Sequence, residues 1–326
     1  MKQRKLGRTD LHISEYCLDA AALGWGPTAD DAASILDAFR RAGGNFIQLQ
    51  ADTGDAAGDP ALSGLSETLV GRWLQERRLA RPEVVLSYCI HLSPAPTGWS
   101  YFRLAVEIRA RCEAALRRLG TSYLDLLLVR WSEEVPADDF LVAVESLQRS
   151  GMFRHLGGAD FPAWRAMEWI GHADRRRLTR LDAIQGEVAP TLDSGSWREM
   201  GDLARHQRLG LIVRPPFLGP SAEERERAPL RPYSTRAAAS CALTQLARKR
   251  GVPPRHIALA WALADPAVSA VLVPAETSAQ VEDLSAAADL ELSLHELLEI
   301  GRPAPAVALP GLHAPDRPET VSMTTS

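Results

Sequence analysis

The chain has 326 residues, enough for one large α/β domain or for two ordinary ones. Hydrophobic residues make up 46% of it and charged residues 24%, which excludes disordered, collagen-like and disulfide-scaffold proteins. The net charge of -4 argues against nucleic-acid binding, and no apolar run is long enough to span a membrane. The N-terminus lacks an apolar signal core and the four cysteines are widely spaced, so we expect a cytoplasmic protein with neither nucleic-acid nor membrane partners.

Short apolar runs alternate with longer amphipathic stretches along the chain. The short runs predict buried strands, and the longer stretches predict helices. The predicted strands cover residues 13–19, 45–50, 84–90, 123–131, 153–160, 181–187, 209–215 and 268–275. The predicted helices cover residues 30–42, 66–77, 102–119, 137–150, 162–172, 197–208, 236–250, 254–264, 278–287 and 293–300.

Eight strands that alternate with helices predict a closed parallel (β/α)8 barrel, the TIM-barrel fold, which usually takes about 250 residues. No Gly-x-Gly-x-x-Gly motif follows a predicted strand, which disfavours a Rossmann domain. We expect one domain over residues 1–301, with two extra helices after the last strand. Residues 302–326 are rich in Pro, Ala and Thr and predict an extended or disordered tail. In such a barrel the chemistry lies at the C-terminal ends of the strands.

Several motifs are shared with a known enzyme family. Residues 4–14, RKLGRTDLHIS, look like an N-terminal hairpin, and residues 42–47, AGGNFI, look like the entry to the second strand. Residues 116–126, LRRLGTSYLDL, are close to a fourth-strand signature. Through these motifs the chain resembles the aldo-keto reductases, NADPH-dependent TIM-barrel enzymes, from about residue 3 to residue 290. The resemblance supports the barrel and adds an N-terminal hairpin to it.

The catalytic tetrad of that family, formed by Asp, Tyr, Lys and His, is not found at the matching positions. Gln48 occupies the Asp position and Thr53 the Tyr position, while Cys89 and Arg130 occupy the Lys and His positions. A shifted register cannot restore the lysine, because the chain has none between residues 5 and 249. In the family the tyrosine protonates the substrate carbonyl. Threonine cannot replace that phenol, and a lost acid–base role costs about 10²–10⁴-fold in rate.

The positions that bind the nicotinamide cofactor in the family also differ. Asp160 occupies the Asn position of the family's Ser-Asn pair, and Arg214 occupies the position of the Tyr that stacks on the nicotinamide. Gln185 matches the family's Gln after the sixth strand. Acidic residues stand at Glu276 and within residues 221–226, where the family contacts phosphates, and carboxylates repel a pyrophosphate. We therefore expect no cofactor, with NADPH binding absent or weak.

The substituted residues lie together at the strand ends, where charges are costly unless they are paired or used. This favours a repurposed pocket in a non-redox enzyme. It would catalyse dehydration, isomerisation, elimination or cyclisation of a small polar or anionic metabolite, for example in a biosynthetic pathway. In this hypothesis Arg130 and Arg214 hold an anion, a buried carboxylate acts as acid or base, and Cys89 is a nucleophile. The alternatives are a catalytically silent binding or scaffold protein and an NADPH-dependent reductase with a rebuilt site.

The candidate site contains two groups of residues, and its ligand is expected to be a small-molecule substrate. The predicted catalytic residues are Asp19, Cys89, Arg130, Asp160, Glu187 and Arg214. The predicted substrate-pocket residues are Gln48, Asp52, Thr53, Tyr88, His91, Trp131 and Gln185. No residue is assigned to a cofactor or to a metal.

Overall fold

The computed structural model describes residues 1–24, 28–50, 64–92, 98–187, 195–214 and 236–300. The strands are β1 (Gln3–Lys5), β2 (His12–Ser14), β3 (Tyr16–Asp19), β4 (Phe46–Gln50), β5 (Val85–His91), β6 (Leu124–Arg130), β7 (Phe153–Ala159), β8 (Leu181–Glu187), β9 (Gly210–Arg214) and β10 (Val268–Pro274). The helices are α1 (Ala29–Arg41), α2 (Leu65–Glu76), α3 (Tyr101–Leu119), α4 (Ala137–Arg149), α5 (Ala163–Arg176), α6 (Gly195–Gln207), α7 (Arg236–Arg250), α8 (Pro254–Leu263), α9 (Ser278–Ala287) and α10 (Leu294–Ile300). The predicted tail over 302–326, the predicted pocket residues Asp52 and Thr53, and the acidic stretch 221–226 lie outside the described residues.

Eight of the strands close into a parallel barrel in the order β10-β3-β4-β5-β6-β7-β8-β9. Closure is completed where β10 runs parallel to β3, with Leu272 beside Cys17 and Pro274 beside Asp19. The predicted (β/α)8 TIM barrel and its N-terminal hairpin are thereby confirmed. Of the helices described, none is long and apolar enough to cross a membrane.

The first predicted strand, residues 13–19, is divided in the structure. β2 pairs antiparallel with β1 in a separate hairpin, and only β3 enters the barrel. Glu15 stands between them. Its side chain accepts a hydrogen bond from the backbone N–H of Lys2 (2.8 Å), and its carbonyl accepts one from Val271 (2.9 Å). The strand changes partners at Glu15, which a continuous apolar pattern does not reveal.

The hairpin seals the N-terminal end of the barrel. Leu6, Leu11 and Ile13 are buried and belong to the same hydrophobic cluster as the inward-facing strand residues. The turn requires a glycine at position 7, where φ is +53° and a Cβ would lie 2.3 Å from the backbone nitrogen of Gly210. The apolar hairpin, residues 3–14, therefore fills this end of the barrel, and we call it the plug.

Side chains alternate between two cores along each strand, as the pleat of a β-strand requires. In β5, Tyr88 and Ile90 join the larger core between the strands and the helices, whereas Val85 and Cys89 face the barrel interior. This alternation decides which of the residues at the strand ends reach the mouth of the barrel, its C-terminal end.

Candidate functional site

The C-terminal ends of the strands bring polar side chains together at the mouth of the barrel. Besides β5, five strands carry a polar residue two positions after a residue of the interior cluster, so the alternation turns that polar residue inward. The interior residues are Cys17, Phe46, Leu128, Ala183 and Ile212. The polar residues that follow them are Asp19, Gln48, Arg130, Gln185 and Arg214.

Asp160, the first residue after β7, joins Arg130 and Arg214 into one charged cluster. Its Oδ2 lies 3.2 Å from Nε of Arg130, and its Oδ1 accepts a hydrogen bond from Nη2 of Arg214. The backbone of Asp160 is left-handed, with φ of +58°, and its N–H donates to the Gln185 carbonyl at 2.8 Å. One carboxylate thus serves two guanidinium groups, each with 31% of its side chain exposed.

Asp19 is the second carboxyl group at the mouth. Its Oδ1 accepts a hydrogen bond from the N–H of Ala21 at 3.1 Å. Burial among protein atoms raises the pKa of Asp19, and the Ala21 N–H and the charges of Arg214 and Arg130 offset only part of that effect. Asp19 therefore keeps its proton to a higher pH than an ordinary aspartate does.

Gln48 and Gln185 form an amide pair at the same level of the barrel. Nε2 of Gln185 donates to Oε1 of Gln48 at 2.7 Å, whereas the reverse hydrogen bond is long, at 3.5 Å. Both side chains are almost fully buried. Gln48 is the register neighbour of Asp19, so the amide pair and this partly buried carboxyl group belong to one site.

Cys89 and His91 lie on β5 beside the charged cluster, and both are uncharged near neutral pH. Burial raises the pKa of Cys89 to about 11, although the nearby Arg130 counteracts it. Because the thiolate is the nucleophile, this argues against the nucleophilic role predicted for Cys89. Desolvation, together with the charges of Arg130 and Arg111, lowers the pKa of His91. A neutral His91 adds no charge to the mouth.

Two of the predicted site residues are placed elsewhere. Tyr88 is buried in the core between strands and helices, on the opposite face of β5 from Cys89. Trp131 is partly buried and packs against that same outer core. Glu187, by contrast, follows Gln185 by two residues and stays at the mouth, exposed at the end of β8 as the register neighbour of Arg214. The alternation of β5 accounts for Tyr88, since adjacent residues of a strand cannot both face inward.

Arg111 is a contact of the site that an argument from strand ends does not include. It lies in the middle of α3, where its Nη1 donates to the His91 carbonyl and its Nε donates to Glu107, both at 2.7 Å. The i,i+4 spacing of Glu107 and Arg111 is visible in the sequence and predicts a surface pair. It does not predict that the arginine reaches the end of β5.

Comparison with known proteins gives a consistent picture. A sequence model of the aldo/keto reductase family matches residues 17–301. The oxidoreductase YrpG of Bacillus subtilis (strain 168) is 26% identical over 308 residues, covering 90% of this chain and 92% of that protein. The protein tas of Escherichia coli (strain K12) is 26% identical over 337 residues, covering 92% and 96%. The norsolorinic acid reductase stcV of Emericella nidulans is 28% identical over 313 residues, covering 89% and 78%.

These relatives overturn the predicted non-redox function. Proteins that match most of the chain are named as an oxidoreductase and as a reductase, so the prediction of a repurposed non-redox enzyme is wrong. Of the alternatives weighed from the sequence, only the reductase agrees with these names. The error has a physical reason. Substitutions that the sequence suggests at tetrad positions would say which groups are absent there, but not which neighbouring groups can move a proton instead.

The prediction that no nicotinamide cofactor binds is also wrong, because the family and its oxidoreductase members imply the use of NADPH or NADH. The electrostatic argument against the cofactor overestimated the repulsion. Glu276 is exposed, where water and salt screen its charge. Asp160 is paired with two arginines, so its negative charge is already compensated.

Proposed function

Because the chain belongs to the aldo/keto reductase family, we propose that it is a nicotinamide-dependent oxidoreductase that reduces the carbonyl group of a small molecule. The finer part of the proposal is that the tetrad of the family is not retained and that Asp19 is the proton donor. Gln48, Cys89 and Arg130 replace three of the tetrad residues, and none of them is suited to give a proton to a carbonyl oxygen. An amide does not titrate, Cys89 holds its proton too strongly, and a guanidinium does not deprotonate in proteins.

The residues at the mouth fit the carboxamide group of a nicotinamide. A carboxamide offers both a hydrogen-bond donor and an acceptor, and the amide pair of Gln48 and Gln185 presents the complementary groups. Since the hydrogen bond from Gln48 to Gln185 is long, Oε1 of Gln185 retains capacity for another donor. Gln185 and Gln48 would therefore hold the carboxamide. When bound, the reduced nicotinamide supplies the hydride.

The observation that carries the proposal is the raised pKa of the Asp19 carboxyl group at the mouth. A general acid works best when its pKa lies near the working pH, and burial moves an aspartate in that direction. Asp19 would give its proton to the carbonyl oxygen of the substrate, so that the reduced carbonyl leaves as an alcohol. The carboxylate that remains is stabilised by the positive charges of Arg214 and Arg130. A proton from solvent then restores the acid.

The test is reduction of aliphatic and aromatic aldehydes with NADPH and with NADH, using Asp19→Asn beside the wild-type protein. We expect kcat to fall by about 10²-fold or more in this variant, because it loses one acid–base role. Glu76→Gln is the matched control, since it removes an exposed carboxylate that pairs with Arg72 on α2. The control should keep the wild-type kcat.

The pH profile separates proton donation from a structural effect. In the direction of reduction, wild-type kcat should fall as pH rises through the raised pKa of Asp19, because the acid must be protonated. Asp19→Asn should lack this limb. An unchanged kcat in Asp19→Asn would exclude Asp19 as the donor. If no tested aldehyde leads to oxidation of NADPH or of NADH, the proposal that the protein is an oxidoreductase is wrong.

A further inference from the structure

The charged cluster at the mouth of the barrel has more cationic than anionic groups. Of the three side chains in contact, Arg130 and Arg214 are cationic and only Asp160 is anionic. Asp19, with its raised pKa, stays protonated to a higher pH than an ordinary aspartate, and in that form it adds no negative charge to the mouth. Burial is the main cause of the lowered pKa of His91, and the charges of Arg130 and Arg111 lower it further, as a local positive potential does.

The geometry of the cluster leaves hydrogen-bond donors for a ligand. Each guanidinium has five N–H donors, and Asp160 meets each arginine with a single oxygen. Nε of Arg130 is buried and makes no aligned hydrogen bond, although Asp160 lies 3.2 Å away. The backbone of Asp160 is held by its hydrogen bond to Gln185, and its carboxylate contacts both arginines. The N–H donors that Asp160 does not use can meet a second anion.

We infer that Arg130 and Arg214 recognise a carboxylate on the substrate, so that the enzyme reduces aldehydes or ketones that carry a carboxylate group. The planar guanidinium presents paired donors that match the two oxygens of a carboxylate. The inference rests on the proposed function, because the recognised anion is placed beside the Asp19 carboxyl group, whose pKa both arginines influence. A neutral carbonyl compound of the same size would leave these donors unmatched.

The experiment compares aldehydes that differ only in charge. The pairs are 4-carboxybenzaldehyde with 4-methylbenzaldehyde, and succinic semialdehyde with butanal. For at least one pair, wild-type kcat/KM should be about tenfold or more higher for the carboxylated member, the range expected for a charged, bidentate contact. In Arg214→Gln that ratio should fall towards one, because kcat/KM falls much further for the carboxylated member than for the neutral member.

Two further variants separate a specific contact from general electrostatic attraction. Arg165→Gln removes the same charge from the first turn of α5, at the same end of the barrel, where Arg165 pairs with Glu168 at 2.7 Å. It should keep the wild-type ratio. Arg130→Lys keeps the charge but loses the planar fork, and it should lower the ratio. An equal loss of the ratio in Arg165→Gln and in Arg214→Gln would overturn the inference.

A binding measurement without turnover keeps the inference distinct from the proposed function. Calorimetric titration with benzoate should give binding that benzamide does not give and that Arg214→Gln loses, whether or not any aldehyde is reduced. Two results would contradict the inference. One is the absence of benzoate binding together with a kcat/KM ratio near one for both aldehyde pairs. The other is a higher KM for NADPH in Arg214→Gln with the ratio unchanged, since the arginines would then serve the cofactor.

Discussion

At the N-terminal end of the barrel the buried charged side chains are closely paired, whereas at the C-terminal end two arginines share one aspartate. Asp125, near the start of β6, accepts hydrogen bonds from Arg81 (2.7 Å) and from the N–H of Leu86 (2.9 Å), and only 4% of its side chain is exposed. Asp160, at the other end, has 33% of its side chain exposed. The two aspartates differ both in burial and in the balance of charge around them.

A second network at the N-terminal end ties the hairpin to the barrel. His155 on β7 lies between two carboxylates, 2.9 Å from Asp10 and 3.0 Å from Asp182. Arg8, in the hairpin turn, also contacts Asp182, at 2.8 Å. The hairpin therefore holds the barrel through charged contacts as well as through its apolar plug.

The charged side chains at the two ends of the barrel therefore have different roles, one in stability and the other in ligand binding. A buried, fully matched pair holds the structure because removal of one partner leaves a charge without compensation. A partly exposed cluster with spare donors contributes little to stability, since water solvates it when a partner is lost. It remains available for a ligand.

The largest expected effect is a difference in the free energy of unfolding between two Asp→Asn substitutions, one at each end of the barrel. Asp125→Asn should lower the free energy of unfolding by about 3–5 kcal/mol, because Arg81 loses its buried counter-ion. Asp160→Asn should change it by no more than about 1 kcal/mol, since the cluster is partly exposed and asparagine tolerates the left-handed backbone there. Urea unfolding followed by circular dichroism measures both. Similar losses in the two variants would remove the distinction between the two ends.

The plug itself is tested by adding a single methyl group. Gly7→Ala should lower the free energy of unfolding by about 3 kcal/mol, because the Cβ would collide with the backbone of Gly210 in addition to straining the left-handed turn. Gly151→Ala is the matched control. Its φ is +82°, but nothing lies within 4 Å of the added Cβ, so only the backbone strain of about 1 kcal/mol is expected. Equal losses would mean that the hairpin can shift away from β9.

The smallest expected effect is the pH dependence of the hairpin contact. Burial alone would lower the pKa of His155, but the hydrogen bonds to Asp182 and Asp10 outweigh burial and raise it. The stabilisation is therefore complete below the ordinary value of 6.5 and is lost as pH rises through the higher pKa of the folded protein. His155 in turn lowers the pKa of Asp10, whose contribution is lost only below 3.8.

Unfolding measured at several pH values should show the pH range over which the stabilisation by His155 is lost. Between about pH 5.5 and pH 8.5 the wild-type protein should lose roughly 1 kcal/mol more stability than His155→Gln, the size of one charged hydrogen bond. His206→Gln, which removes an exposed histidine bonded to its own helix, should retain the wild-type pH dependence. The same pH dependence in His155→Gln as in the wild-type protein would show that another group is responsible.

Much of the fold could be predicted from local patterns. The eight apolar runs gave the eight barrel strands within a few residues, and the long amphipathic stretches gave the helices between them. The position of Asp160 on the arc between Arg130 and Arg214 also follows from strand order, because these residues end the fourth, fifth and seventh barrel strands. Such features depend on periodicity and on the number of strands, which are local properties of the chain.

The candidate site was only partly predictable. The orientation of Tyr88 and the contact of Arg111 depend on the register and on a neighbouring helix. The change of partners at Glu15 depends on Lys2 and on Val271, which is more than 250 residues away. The function was predicted wrongly because an expected loss of the tetrad was interpreted as the loss of the reaction.

The sequence by itself determined the class of fold, the identity of the charged residues at the strand ends and the absence of lysine from the middle of the chain. Only the tertiary structure decided their chemistry. Burial raises the pKa of Asp19 and of Cys89, and shared contacts place one aspartate between two arginines. The reason is that a pKa and an ion pair depend on the solvent and charges within a few ångströms. In this barrel those neighbours come from strands that are far apart in sequence.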